Sequence, residues 1–250
     1  MGPVLKPAFL LTGFGPFPGV SMNVSGMFAE ALAELGRRNF AKIQFIAATL
    51  PTAWHEGPVR LEELYRAYRP MFAMHFGVSH RARSLTVECR AQNRAEHRDC
   101  YGHRPDMARL SADGPSERMV TIPAGRIIAR LKRQAIPSVL SHDAGNYLCN
   151  AILYRSLELM NALRPDGQCG FIHLPAKLAW CGDSCCHKPG ADGLSFEMSL
   201  KGGLEILAVL LQSSPQMSWP LQHKLLQEMR ARRSGFARQL PAHSKPFYSS

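Results

Sequence analysis

The chain has 250 residues, 46% of them hydrophobic and 20% charged, with a formal net charge of +11. These fractions are ordinary for a soluble globular protein, and the length suits one large domain with a sizeable core. No run approaches the ~18 apolar residues of a membrane span, and no long Lys/Arg run carries interleaved aromatics, so neither a membrane nor a nucleic-acid partner is expected. The charge is unevenly spread, with six Lys or Arg residues and one acidic residue, Glu228, between Pro215 and Ser250. That tail reads as a basic, partly disordered extension over 214–250, behind a single domain over 1–213. The apolar stretch at 8–12 is too short for a signal-peptide core. Seven cysteines, an odd number, then predict free thiols in a reducing cytoplasm.

Taken in order, Pro7–Thr12 is a compact apolar run that predicts a buried first strand. The loop Gly13-Phe-Gly-Pro-Phe-Pro-Gly19 follows. It is not a dinucleotide loop, because the third glycine is one position late and two prolines interrupt it. Phe14 and Phe17 in such a loop form either a hydrophobic plug or the wall of an apolar ligand slot. Asn23 and Ser25 offer N-caps for a helix over Met27–Leu35, with Gly36 as its stop. Lys42–Leu50 reads as a second strand, Trp54–Tyr68 as a helix, and Met71–Phe76 as a third strand ending at Gly77. Leu85–Cys89 alternates as a strand. From Arg94 to Pro115 the chain is polar and rich in Gly, Asp and Pro, which predicts a long irregular excursion.

A helix over Ala124–Gln134 then precedes the short apolar run Pro137–Leu140. Asp143–Asn150 follows as a tight turn that opens an amphipathic helix, with Cys149 in its first turn. Gln168–Leu174 is a further strand, and Gly193–Leu211 supplies the last long helix. Strand and helix alternate throughout, which predicts an open, mostly parallel twisted α/β sheet with helices on both faces.

Functional groups in such sheets gather at the carboxyl ends of the strands. Cys149 sits where unpaired backbone N–H groups and the helix dipole favour a thiolate, although a cysteine there can also serve as a small buried hydrophobe. His173 lies 24 residues further on, in the next strand–loop–helix unit, so neighbouring strands are expected to bring the two together. An imidazole beside a thiol can withdraw its proton and later donate it to a leaving amine. A satisfied structural histidine is the other reading of His173. Cys181, Cys185, Cys186 and His187 crowd one loop, but their spacing matches no standard zinc site, so no metal is predicted. An exposed or subunit-interface thiol loop is expected instead.

Four blocks, in order, resemble the pyroglutamyl-peptidase I family. They are Thr12-Gly-Phe-Gly-Pro-Phe17 with Asn23-Val-Ser25; Gly77 through Glu88-Cys-Arg-Ala-Gln-Asn93; Asp143-Ala-Gly-Asn-Tyr-Leu-Cys149-Asn150; and Phe171-Ile-His173-Leu-Pro175. The second is similar to the family's Glu-Arg-x-Ala-x-Asn motif, with Cys89 where that family usually has Arg. The resemblance spans roughly residues 8–211. It implies a cysteine peptidase without a cofactor that removes N-terminal pyroglutamate from peptides and assembles as a homo-oligomer. It assigns Cys149 as nucleophile, His173 as general base and acid, and Glu88 as the group orienting the imidazole.

The same resemblance implies a lactam slot from Phe14, Phe17, Asn23, Tyr147 and Leu148, with Arg98 as a polarising cation. An uncharged ring suits an apolar slot, whereas a free N-terminal amine would be costly to bury there. The family's Gly-Gln-Ala turn is here Gly77-Val-Ser, so Val78 is expected to replace a polar group near the substrate. A remodelled pocket cleaving another amide, or a non-catalytic protein binding a lactam or peptide terminus, are the alternatives.

Overall fold

A computed structural model describes residues 6–16, 23–176, 178 and 194–213. The chain runs β1 (Ala8–Phe14), α1 (Val24–Asn39), β2 (Gln44–Leu50), α2 (Glu56–Tyr68), β3 (Phe72–Ser79), β4 (Leu85–Glu88), β5 (Arg90–Gln92), β6 (Glu117–Met119), α3 (Ala124–Arg133), β7 (Ser138–Ser141), α4 (Leu148–Leu163), β8 (Gln168–Pro175) and α5 (Phe196–Ser213). Six strands form one sheet in the order β2-β1-β3-β8-β4-β7, and β5 pairs with β6 in a small ribbon. Phe17, the Cys181–His187 loop and the tail beyond Ser213 lie outside the described residues.

Every residue of β1 and of β8 is buried, and both sequences are near-continuous apolar runs. Strands read that way when both faces of a sheet are covered. The alternation divides the core in two. Phe9, Leu11, Phe72, Met74, Ile172 and Leu174 pack under α1, α3 and α5. Leu10, Phe14, Ala73, Cys169 and Phe171 pack under α2 and α4. The open, mostly parallel α/β sheet is the one the alternation predicted.

Two local expectations change. Gly36 does not stop α1, which continues to Asn39. A Cβ on Gly36 would stand 2.7 Å from the Phe45 ring, so the glycine lets helix and strand approach closely. The Arg94–Pro115 excursion is irregular as predicted, and it is framed by β5 and β6, which are too short to leave a period in the sequence. Asn93 closes its base, with Nδ2 donating to Ser111 O (2.8 Å) and Gly114 O (3.1 Å) while Oδ1 accepts from Ser111 N (2.9 Å).

The larger correction concerns direction. β4 runs antiparallel to β8, and β7 runs parallel to β4. The strand before Cys149 is therefore not the neighbour of the strand carrying His173, and it points the opposite way. A four-residue strand with Val139 and Leu140 half exposed is an edge strand, and its composition carries no information about orientation. Cys149 instead reaches the sheet because α4 lies across β3 and β8.

Candidate active site

β8 presents Cys169, Phe171 and His173 to the α2/α4 face, and Gly77 of β3 is in register beside His173. On the other side Thr86 of the antiparallel β4 pairs with His173. Two residues further along β4, Glu88 shares that face, and its Oε1 lies 2.7 Å from His173 Nδ1. Glu88 is 1% exposed and His173 7%, so the contact is shielded from water. The second carboxylate oxygen, Oε2, is buried without a hydrogen-bond partner.

Burial by itself would lower the His173 pKa. The negative charge at Cys149, a hydrogen bond to it, and the hydrogen bond and charge of Glu88 outweigh burial and push it up to about 10. The imidazole is therefore protonated at neutral pH. Nδ1–H donates to Glu88, which leaves Nε2–H for the sulfur of Cys149.

Cys149 is the second residue of α4, in the first turn that its sequence suggested. Gly145, with φ +82, makes the left-handed bend before the helix. Asp143 Oδ1 accepts from Gly145 N at 3.1 Å and pairs with Arg94 at 3.1 Å, which ties the bend to the excursion. Tyr147 caps the helix with extended backbone and no side-chain bond, and the first turn holds no acidic residue. Its N–H groups are free for an anion.

Gly77, expected as a strand-ending turn, lies inside β3. A Cβ there would stand 2.7 Å from Cys149 Sγ and 2.8 Å from the Phe171 ring. Clearance for the sulfur explains this glycine. Its sequence signal, a lone Gly closing an apolar run, reads as a turn unless the helix above is known.

Phe14, Leu148 and, at its edge, Tyr147 belong to one apolar cluster, joined by Trp54, whose ring meets Tyr147 edge-on at 5.5 Å. Trp54 was not anticipated. Burial, then the charges at Cys100, Asp99 and Cys149, push the Tyr147 phenol up to about 12, so it stays neutral. Asn23 Oδ1 caps α1 by accepting from Ser25 N at 3.2 Å and Ser25 Oγ at 2.7 Å. Ser25 Oγ in turn accepts from Phe14 N at 3.0 Å. Asn23 thus fixes the Phe14 backbone.

Arg98 is exposed and donates to Gly102 O at 2.7 Å within its own loop. Val78 packs against the α1/α5 core, on the opposite face of β3 from the sulfur, so the expectation that it replaces a polar group near the substrate does not hold. Strand parity, once β3 is seen to run through Gly77, gives the reason.

A second thiol–imidazole cluster lies deeper on the same face. His75 bonds to Thr12 Oγ1 (2.7 Å) and Ser156 Oγ (2.6 Å), and Ser156 Oγ also meets Tyr65 OH (2.6 Å) and Cys169 Sγ (3.1 Å). Among the described residues no group of three His, Cys, Asp or Glu side chains could hold a metal ion. Nor, among them, is any helix long and apolar enough to cross a membrane.

A thiol at a helix start, beside an imidazole held by a buried carboxylate on an open α/β sheet, is the arrangement of a thiol hydrolase. The profile of the pyroglutamyl peptidase family matches residues 8–210. Pyrrolidone-carboxylate peptidase 1 of Streptococcus pneumoniae is 28% identical over 200 residues, 79% of this chain and 89% of its own. The pyrrolidone-carboxylate peptidase of Bacillus cereus is 28% identical over 195 residues, covering 77% and 87%. Among solved structures, a mutant pyrrolidone carboxyl peptidase from Pyrococcus furiosus superposes with a TM-score of 0.71 at 26% identity, covering 82% of this chain and 98% of that one. Bacillus amyloliquefaciens pyroglutamyl peptidase I gives 0.66 at 27% identity, covering 82% and 96%. The chain belongs to the pyroglutamyl peptidase family, whose members are cysteine omega-peptidases.

Proposed function

We propose that this chain hydrolyses the amide bond after an N-terminal pyroglutamyl residue, with Cys149 as nucleophile, His173 as general acid and base, and Glu88 holding the imidazole. The observation that carries the reading is the buried 2.7 Å contact of Glu88 with His173, beside a sulfur seated against Gly77. The Cys149 thiolate attacks the pyroglutamyl carbonyl carbon, and free N–H groups at the start of α4 stabilise the resulting oxyanion. His173 gives its proton to the departing nitrogen as the C–N bond breaks, leaving a thioester. A water then loses a proton to His173 and attacks the thioester carbon. The C–S bond breaks, and free pyroglutamate leaves with the sulfur restored as thiolate.

Phe14, Tyr147, Leu148 and Trp54 supply an apolar wall suited to a flat, uncharged lactam, and Phe17 is proposed to join it. Asn23 supports that wall through Ser25 rather than by its own size. Val78, turned to the other face, leaves the wall unaltered, which favours a pyroglutamyl substrate over a remodelled one. Arg98 contributes only if substrate draws it from Gly102. We further read the enzyme as a cytoplasmic homo-oligomer in which 214–250 is an extension the reaction does not need. The free thiols Cys89, Cys100, Cys149 and Cys169 fit a reducing compartment.

The test is turnover of a pyroglutamyl amide with a chromogenic leaving group. Wild type should release the chromophore and Cys149→Ala should not. Tight binding of pyroglutamate with no turnover by wild type would instead favour a non-catalytic binding protein.

A further inference from the structure

The residue after the thiol is buried completely and engages the backbone of β5, the short strand that follows Glu88 in the chain. Asn150 is 0% exposed although it opens a helix at the edge of a loop-rich region. Its Oδ1 accepts from Gln92 N at 2.8 Å, and its Nδ2 donates to Gln92 O at 2.8 Å and to Arg94 O at 3.0 Å. Both amide hydrogens are used. β5 pairs with β6 along its other edge, so the side chain of Asn150 stands where a further strand would complete the ladder.

The clamp adds, to the packing of α4 on β5 and the Arg94–Asp143 pair, a direct tie between the residue after Cys149 and the chain that leaves Glu88. Gln92 is four residues beyond Glu88 along a continuous chain through Cys89, whose own N–H is fixed by Ser141 O at 2.7 Å. Asn150 directly follows Cys149. A shift of α4 along its axis would carry the sulfur away from His173 and would have to break three hydrogen bonds made by a fully buried amide.

We propose that Asn150 is the positioning residue of the catalytic constellation, its amide locking the first turn of α4 to the strand that leaves Glu88 and so setting where Cys149 Sγ stands against the His173 imidazole. This rests on the reading of Cys149, His173 and Glu88 given above. The Asn150 side chain is spent entirely on Gln92 and Arg94, so its effect is expected on the rate of chemistry and not on ligand affinity.

Asn150→Asp is nearly isosteric, keeps the acceptor and loses both donors, while Asn150→Ala loses all three bonds. A misplacement on the order of 1 Å costs roughly 10²-fold in rate. Each variant should therefore lose about that factor in kcat on a pyroglutamyl anilide while KM stays within about threefold. Alkylation of Cys149 by iodoacetamide, followed by mass spectrometry, should slow in parallel.

Alkylation needs no substrate, which separates the two readings. A wild type that turns nothing over, but whose Cys149 slows on substitution, keeps the positioning role and loses the pyroglutamyl one. A kcat within threefold of wild type, or alkylation at the wild-type rate in a folded variant, overturns the proposal. Should neither variant fold, hydrogen exchange on the intact enzyme decides. The Gln92 amide should be as protected as the amides in the middle of α4, and exchange like that of an open loop refutes the clamp.

Discussion

Two thiol–imidazole clusters stand on the same face of the sheet, offset by one strand step. In the lower one, His75 and Cys169 share Ser156, and His75, Cys169, Ser156 and Tyr65 are each 0% exposed. Every partner there is a neutral hydroxyl or thiol. Burial acts unopposed, taking His75 down to about 3 and, despite hydrogen bonds from Ser156 and Tyr65, Cys169 up to about 12. In the upper one, His173 is nearly as buried, yet charge at Cys149 and the Glu88 carboxylate hold it up at about 10. Phe171, whose ring meets His173 at a 55° tilt with centroids 4.8 Å apart, occupies the strand position between Cys169 and His173. The same residue types therefore carry opposite proton states. A carboxylate and a helix start distinguish the cluster proposed for chemistry from the one that reads as packing.

The most decisive break of this comparison is to remove each sulfur in turn. Cys149→Ala should abolish turnover of a pyroglutamyl anilide, a loss of at least about 10⁴-fold, with little change in melting temperature. Cys169→Ala should leave kcat within about threefold but cost about 1–3 kcal/mol of stability, because it opens a small cavity and unpairs one contact of Ser156. The reverse pattern, activity lost at Cys169 and kept at Cys149, would move the active site to the lower cluster.

Glu88→Gln tests what the carboxylate contributes. The amide keeps the shape but not the charge, and a loss of about 10²–10⁴-fold in kcat is expected, in line with loss of an orienting group. The pH profile sharpens the point. If His173 is the acid for the departing amine, as proposed, the alkaline limb of wild-type kcat/KM should fall as pH rises through about 10. In the variant that limb should move toward the ordinary histidine range. An unchanged limb would mean Glu88 does not hold the proton on His173.

Gly77→Ala tests the seat of the sulfur. The new methyl would lie 2.7 Å from Cys149 Sγ and 2.8 Å from the Phe171 ring, so one of them must move. A drop of about 10–10²-fold in kcat is expected, with about 1–3 kcal/mol lost from overpacking. Wild-type activity would show that the sulfur has room the geometry denies.

Local features were legible in the sequence. Asn23 capping α1, Cys149 in the first turn of α4 and the all-buried run of β8 follow from period, cap chemistry and apolar composition. What the sequence hid depends on residues far apart along the chain. The reversal of β4 and β7 is a property of pairing, and four-residue strands carry no directional mark. Gly36 and Gly77 read as stops because their reasons, the Phe45 ring and the Cys149 sulfur, belong to other elements. Asn150 and His75 are buried polar groups whose partners lie some 56 to 81 residues away, invisible to any local pattern. Glu88 entered through the resemblance alone, since a carboxylate at a strand end is ordinarily solvated.

The smallest effect is expected in the lower cluster, and it is confined to acid. His75 is neutral in the fold, with its pKa lowered to about 3 by burial, while in the unfolded chain it titrates near 6.5. Its contribution to stability is thus whole above about pH 6.5 and is lost as pH falls toward 3, because the unfolded state binds a proton the folded state resists. Denaturant midpoints measured from pH 7 to pH 4 should fall more steeply for wild type than for His75→Gln, which cannot take up the proton. The variant should start lower at pH 7, since a glutamine cannot bridge Thr12 and Ser156 as the ring does, and the two curves should converge in acid. Parallel curves would mean that the fold does not depress the His75 pKa, and the contrast between the two clusters would then rest on position alone.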